Sequence, residues 1–242
     1  MNPYRKTKQG TLSLAIAAAA LALAVAQATR ATIIETDTGG NNGFTINTVG
    51  DLVYGITPTV TGAPGYLPNF NNDQSSGPNS VLTDGQFGPA EPPGSVSSTV
   101  PASESTFVGV DNGTVITISL GNSPAGYAIG AIDTYTGWPN NGRNEQNYTV
   151  AYSNNGSTYT NIYTVSSSSS LNDEDVMVNL ADSTGPLATG ATSIQFTFAK
   201  VDNNGVAYTE IAVYAVPEPA PLALLAIGVA GLLLLGRRRG RA

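Results

Sequence analysis

Apolar and polar residues alternate in short runs through most of the middle of the chain. Stretch 114–120 (TVITISL) places Ile116, Ile118 and Leu120 on one face. A period of two marks a strand with one side buried. The same reading predicts strands at 127–135, 148–153, 159–165, 176–180, 193–198 and 209–215. Between the second and third of these runs after 127, Asn154-Asn155-Gly156-Ser157 reads as a hairpin turn, because Asn and Gly accept positive φ. No stretch of the middle carries a helical period of useful length. The expected fold is therefore all-β, an antiparallel β-sandwich or jelly roll. Residues 57–105 are rich in Pro, Gly, Asn and Ser and read as long loops, and 89–94 (PAEPPG) cannot form a central strand. The five serines at 166–170 read as a solvated loop.

Two apolar runs break this pattern, one near each end. The first, 12–25, follows Arg5, Lys6 and Lys8 and precedes Ala26-Gln27-Ala28. At 1.5 Å per residue it spans about 21 Å, short of a ~30 Å hydrocarbon core. Basic start, short apolar run and small-residue exit predict a signal helix, 1–28, cleaved after Ala28 or, second choice, Ala31. The Sec translocon and signal peptidase are the partners this implies. The second run, 220–236, carries no charge and is long enough to span. Arg237, Arg238, Arg239 and Arg241 follow it and would hold that side in the cytoplasm. A C-terminal transmembrane helix is expected there.

Directly upstream stand Val216, Pro217, Glu218 and Pro219. Two prolines one residue apart continue neither a strand nor a helix, and leave extended backbone open to a processing enzyme. The order of Pro-Glu-Pro, apolar helix and arginine cluster over 216–242 resembles the PEP-CTERM sorting signal of Gram-negative bacteria. That resemblance implies recognition by an exosortase and transient anchoring in the inner membrane. It also implies delivery to the cell surface or beyond, in association with exopolysaccharide and biofilm. The alternative is a plain anchor with a chance Pro-Glu-Pro.

Charge sharpens the picture. Residues 32–215 hold every acidic residue except Glu218, and only Arg143 and Lys200 among the basic ones, a net charge of −14. Such a surface repels nucleic acid and anionic lipid and attracts cations, Ca²⁺ above all outside the cell. There is no Cys and no His. That excludes disulfides, thiol nucleophiles, Ser-His-Asp triads and the usual zinc sites. Glycosidase chemistry needs two carboxylates flanking a cleft, and no pair is assignable from the sequence.

Several short motifs recur in a recognisable order. They are Val81-Leu82-Thr83-Asp84-Gly85, then 114–120, then 129–133, then Thr136-Gly137-Trp138 through Arg143. After them come Tyr148-Thr149-Val150, Ser153-Asn154-Asn155-Gly156 and the closing 208–214 (YTEIAVY). This succession resembles the discoidin or coagulation-factor type C family of galactose-binding-like sandwiches. The resemblance implies a sandwich over 80–215, with 29–79 adding N-terminal strands and irregular loops. It also implies a structural Ca²⁺ held by Asp84 and Glu210, with backbone carbonyls around Leu82 and Gln86. Family members usually carry Asn or Asp soon after the Asp-Gly, whereas Gln86 and Phe87 follow here.

Loop 137–146 holds the single Trp and the single central Arg, and is the candidate binding surface. Trp138 would stack on the C–H face of a sugar while Asn140, Asn141 and Arg143 bond its hydroxyls. Alternatively Trp138 packs on the sandwich and Arg143 pairs with Glu145 or Asp133. Asp173-Glu174-Asp175 reads as a solvated loop, and Asp111-Asn112-Gly113 and Asp202-Asn203-Asn204-Gly205 as turns. The function expected is non-catalytic carbohydrate or exopolysaccharide binding at the envelope. A structural surface protein without a ligand is the alternative, and a glycan-active enzyme the remote one.

Overall fold

The computed structural model describes residues 32–40, 43–61, 78–87, 107–121, 123–138, 143–166, 175–199 and 205–216. The signal segment, the Pro217-Glu218-Pro219 motif, the apolar run 220–236, the basic tail and Asn140 and Asn141 lie outside them. Among the described residues no helix is long and apolar enough to cross a membrane.

Eleven strands follow in chain order. They are β1 (Ile33–Gly40), β2 (Thr59–Thr61), β3 (Val108–Val110), β4 (Val115–Ser119), β5 (Tyr127–Gly137) and β6 (Asn147–Ser153). Then come β7 (Thr160–Ser166), β8 (Asp175–Asp182), β9 (Ala188–Ala191), β10 (Ser193–Phe198) and β11 (Val206–Ala215). One sheet runs β1-β8-β5-β11-β3, with β9 added on β5; the other runs β2-β4-β10-β6-β7. Every pairing is antiparallel. The fold is the expected antiparallel sandwich.

Alternation explains the layers. Ile116 and Ile118 of β4 and Ile194 and Phe196 of β10 are buried, while Ser119 and Thr197 between and beside them are exposed. From the opposite sheet Ile132, Val178, Leu180, Ile211 and Val213 come in. At the middle sit four rings, Tyr148, Phe196, Phe198 and Tyr208, with neighbouring centroids 4.7–6.4 Å apart. Rings at such separations add to the stabilisation from burial alone. Hairpin 154–158 forms as the sequence predicts, with Gly156 at φ 74°. The Asp111-Asn112-Gly113 turn also forms, with Gly113 at φ 84°.

The N-terminal part is integral to the sandwich. β1 pairs with β8 along its whole length, and β2, inside the stretch read as loops, pairs with β4. The 3-10 turn Asn79–Thr83 also falls there. Segment 50–53 runs beside the second half of β11, where β3 has ended. Leu52 N–H donates to Val213 O (2.7 Å) and Val213 N–H to Asp51 Oδ1 (3.0 Å). An exposed ladder edge is thereby covered.

The sandwich has two distinct ends. Ile33, Asp182, Ile129 and Ala215 of one sheet and Ser119, Ser193 and Ser153 of the other lie at the first, where short links 120–126 and residue 192 cross between sheets. Gly40, Asp175, Gly137 and Tyr208 lie at the second, joined to the other sheet by 138–146.

Candidate functional site

The closing strand carries a one-residue irregularity that decides what Glu210 does. Tyr208 pairs with Thr136 and Glu210 with the very next residue of β5, Tyr135, so Thr209 is the extra residue of a β-bulge. In a regular strand, positions 208 and 210 would share a face. The bulge turns Tyr208 inward to its aromatic neighbours and Glu210 to the outer face of the six-stranded sheet.

There Glu210 is covered by residues from far back in the chain and is fully buried. Gly85 N–H donates to its Oε2 (3.2 Å), and Gln86 N–H supports the same carboxylate. Asp84 caps its own turn, accepting from Gln86 N–H at 2.9 Å. Gly85 is required twice over: its φ is +78°, and a Cβ would stand 2.6 Å from Thr48 Cγ2 and 2.8 Å from the Tyr54 ring. Glu210 Oε1 is buried with no donor partner. A proton shared with the Asp84 carboxyl would give it one. Burial above all, then the charges of Asp84 and Asp51, pushes the Glu210 carboxyl up to about 9. Asp84 is also raised, chiefly by burial.

So the two carboxylates expected to hold Ca²⁺ do meet. An orphaned carboxylate oxygen beside a second carboxyl suits a hard cation in place of the shared proton. Among the described residues no third acidic, His or Cys group joins them. Backbone carbonyls or water would have to complete the shell.

The same outer face holds further carboxyls, half-buried at Asp51 and Asp133 and buried at Asp175. Asp133 accepts from Asn179 and from Tyr135 Oη. Asp51 accepts from Val53 N–H (3.0 Å) as well as Val213, and burial raises it. Asp175, expected on a solvated loop, is instead buried at the start of β8, where its Oδ2 accepts from Gly43 N–H at 2.7 Å. It anchors the chain after β1 to the second end of the sandwich.

Loop 138–146 corrects one expectation. Trp138 is 7% exposed and Arg143 6%. The ring packs edge-on against Phe107, centroids 5.7 Å apart, and touches Ala207. The Arg143 guanidinium sits over it, 5.4 Å from the centroid. The two side chains expected to face a ligand therefore form a buried cation–π stack against the sandwich. Asp133 is held by Asn179 and Tyr135. Further bonds fix both stems. Thr136 Oγ1 donates to Asn144 O (2.6 Å), and Gln146 Nε2 donates to Thr134 O (3.1 Å) and Val176 O (3.0 Å). Thr134 Oγ1 in turn donates to Gln146 Oε1 (2.6 Å).

Of the sorting motif only Val216 is described. Its N–H donates to Ala128 O (2.8 Å), so the sandwich holds the backbone up to the residue before Pro217.

No family model and no curated protein matches the chain. Among solved structures it is similar to the family 32 carbohydrate-binding module of Clostridium perfringens NanJ in complex with galactose. That match has 16% identity and a TM-score of 0.43, covering 75% of this chain and 99% of the other. Another C. perfringens module, solved with GalNAc-β-1,3-galactose, gives 15% and 0.43, covering 66% and 96%. The lectin domain of lectinolysin with Lewis B antigen gives 11% and 0.41, covering 69% and 97%. Function rests on the residues of this chain.

Proposed function

We propose that this chain is an exported, non-catalytic module that associates with exopolysaccharide or another surface glycan. In this reading the PEP-CTERM-like segment 216–242 directs it through an exosortase to the surface of a Gram-negative cell. The observation that carries the glycan part is the fixing of the chain on either side of 139–142 (PNNG): Arg143 stacks on Trp138, and Thr136 and Gln146 bond across the two segments. Flanks fixed before binding lower the ordering that binding costs. Asn140 and Asn141 supply amide donors and acceptors of the kind that grip hydroxyls. Trp138 and Arg143 are positioning residues in this scheme.

Asp84 and Glu210 hold a structural Ca²⁺ in the same reading, fastening turn 84–86 to β11. Asp84 and Glu210 stand on a covered sheet face, whereas glycosidase chemistry needs two carboxylates flanking an open cleft.

The test is affinity electrophoresis of the purified full chain in gels cast with exopolysaccharide from the producing cells, with and without Ca²⁺. Retardation is expected, and Asn140→Ala/Asn141→Ala should reduce it at least tenfold. A chain that migrates freely in every gel refutes the glycan reading. Burial of Trp138 favours one competing view, a purely structural coat or matrix unit, and that outcome would establish it. Intact mass of the protein from cells tests sorting: a C-terminus near Pro217 to Pro219 is expected.

A further inference from the structure

At the end of the sandwich opposite loop 138–146 lies an open groove of about 640 Å³. Its floor is the outer face of β4 and β10, with Thr117 and Ser119 beside Ser193. One wall is formed by Gly121, Ser123 and Pro124 and the other by Asn154, Asn155, Gly156 and Tyr159. Of its eleven lining residues six bring a hydroxyl, two an amide, and none a charge. In a domain this acidic, that is a neutral, hydrogen-bonding surface with a single aromatic ring, Tyr159.

The groove is preformed. Tyr159 Oη and Ser193 Oγ are bonded at 3.2 Å, which fixes the ring. Ser123 Oγ donates to Gly126 O (3.0 Å) and closes the turn in the first wall. Asn155 Oδ1 accepts from the N–H groups of Ser157 (3.0 Å) and Thr158 (2.9 Å) and closes the second. Next to these turns Gly126 and Gly190 meet backbone to backbone: a Cβ on Gly126 would lie 2.3 Å from the Gly190 carbonyl. Both have positive φ, 68° and 70°. This contact between two glycines holds the turn of the first wall against β9.

We propose that this groove is a second binding site, for a neutral saccharide. Hydroxyls and amides match the donors and acceptors of sugar hydroxyls, and Tyr159 offers a ring for their C–H faces. An anionic sugar would meet no cation here, because Arg143 is committed at the other end, and would be repelled by the net charge. The site is independent of the loop proposed above. If both bind, one module joins two polysaccharide strands.

Affinity electrophoresis of the full chain in detergent, against dextran, galactan and mannan as neutral probes and alginate as the anionic one, tests this. At least one neutral probe should be retained and alginate should not. Tyr159→Ala and Ser119→Glu should each weaken retention tenfold or more, with unfolding midpoints within a few degrees of the parent. Ser119 is exposed, so the second variant folds even if the first does not. Retention of a neutral probe that both variants leave unchanged overturns the proposal, as does retention of alginate alone or of no probe. Loss in Asn140→Ala/Asn141→Ala without loss in the groove variants leaves the loop reading standing and the groove refuted.

Discussion

Gly85 N–H donates to Glu210 Oε2 at 3.2 Å and fastens an early turn to the closing strand, with the Asp84 charge beside the same carboxyl. Two acidic groups this close on a covered sheet face favour a state in which one of them is neutral.

Without a cation, stability should fall as pH rises. The folded Glu210 carboxyl titrates at about 9, against 4.5 for its ordinary value. Between those values the unfolded chain has released a proton that the folded chain keeps. The contribution is complete below about pH 4.5 and lost as pH climbs through about 9. Burial shifts Asp51, Asp84 and Asp133 in the same direction. Urea unfolding with EDTA from pH 5 to 9 should show the decline, and Glu210→Gln should flatten it. A midpoint that rises over this range contradicts the assignment.

Millimolar Ca²⁺ should reverse that slope. A cation needs both carboxylates ionised, so its stabilisation grows with pH where the proton's fades. Differential scanning calorimetry at pH 8 should show a higher melting temperature with CaCl₂ than with EDTA. Asp84→Asn and Glu210→Gln should each remove the difference. Equal melting with and without the ion in the parent would dispose of the calcium site.

Trp138, the sole tryptophan, reports directly on loop 138–146. Its fluorescence should be poorly quenched by acrylamide. Trp138→Ala removes a buried ring from Phe107 and Ala207 and should cost about 3 kcal/mol in urea unfolding. Strong quenching would show the ring exposed and restore it as a sugar platform.

Gln146→Leu should lower stability by about 2 kcal/mol, because the carbonyls of Thr134 and Val176 each lose a donor and Thr134 Oγ1 loses an acceptor. The same change should weaken glycan retention through the loop apex while leaving Tyr159-dependent retention intact. Equal effects on both would mean that Gln146 acts on the fold as a whole.

Much of this architecture is legible in the chain. Strands β4, β5, β6, β8, β10 and β11 announce themselves because β-branched and aromatic residues alternate with polar ones. β1 is harder to read: Glu35 and Asp37 stand at its half-buried positions, so the alternation carries charge where apolar residues are expected. β3 and β9 are too short and too rich in small residues to signal anything. The meeting of Asp84 and Glu210 is readable from motif order, but the reason Glu210 faces outward is not, since a bulge at Thr209 leaves no mark in a run such as YTEIAVY. Whether Trp138 is buried or open depends on Phe107 and Ala207, contacts that no local pattern encodes. The groove is invisible beforehand because Ser119, Tyr159 and Ser193 come together only after the strands pair.

Entry and exit of the chain on one side has a practical outcome. Ile33 and Ala215 belong to strands three ladder spacings apart, about 14 Å. A bridge of about five residues would close that gap. The sandwich is therefore a candidate for circular permutation, reopened in the turn at 183–185, or for grafting as a cassette into a surface loop of another protein.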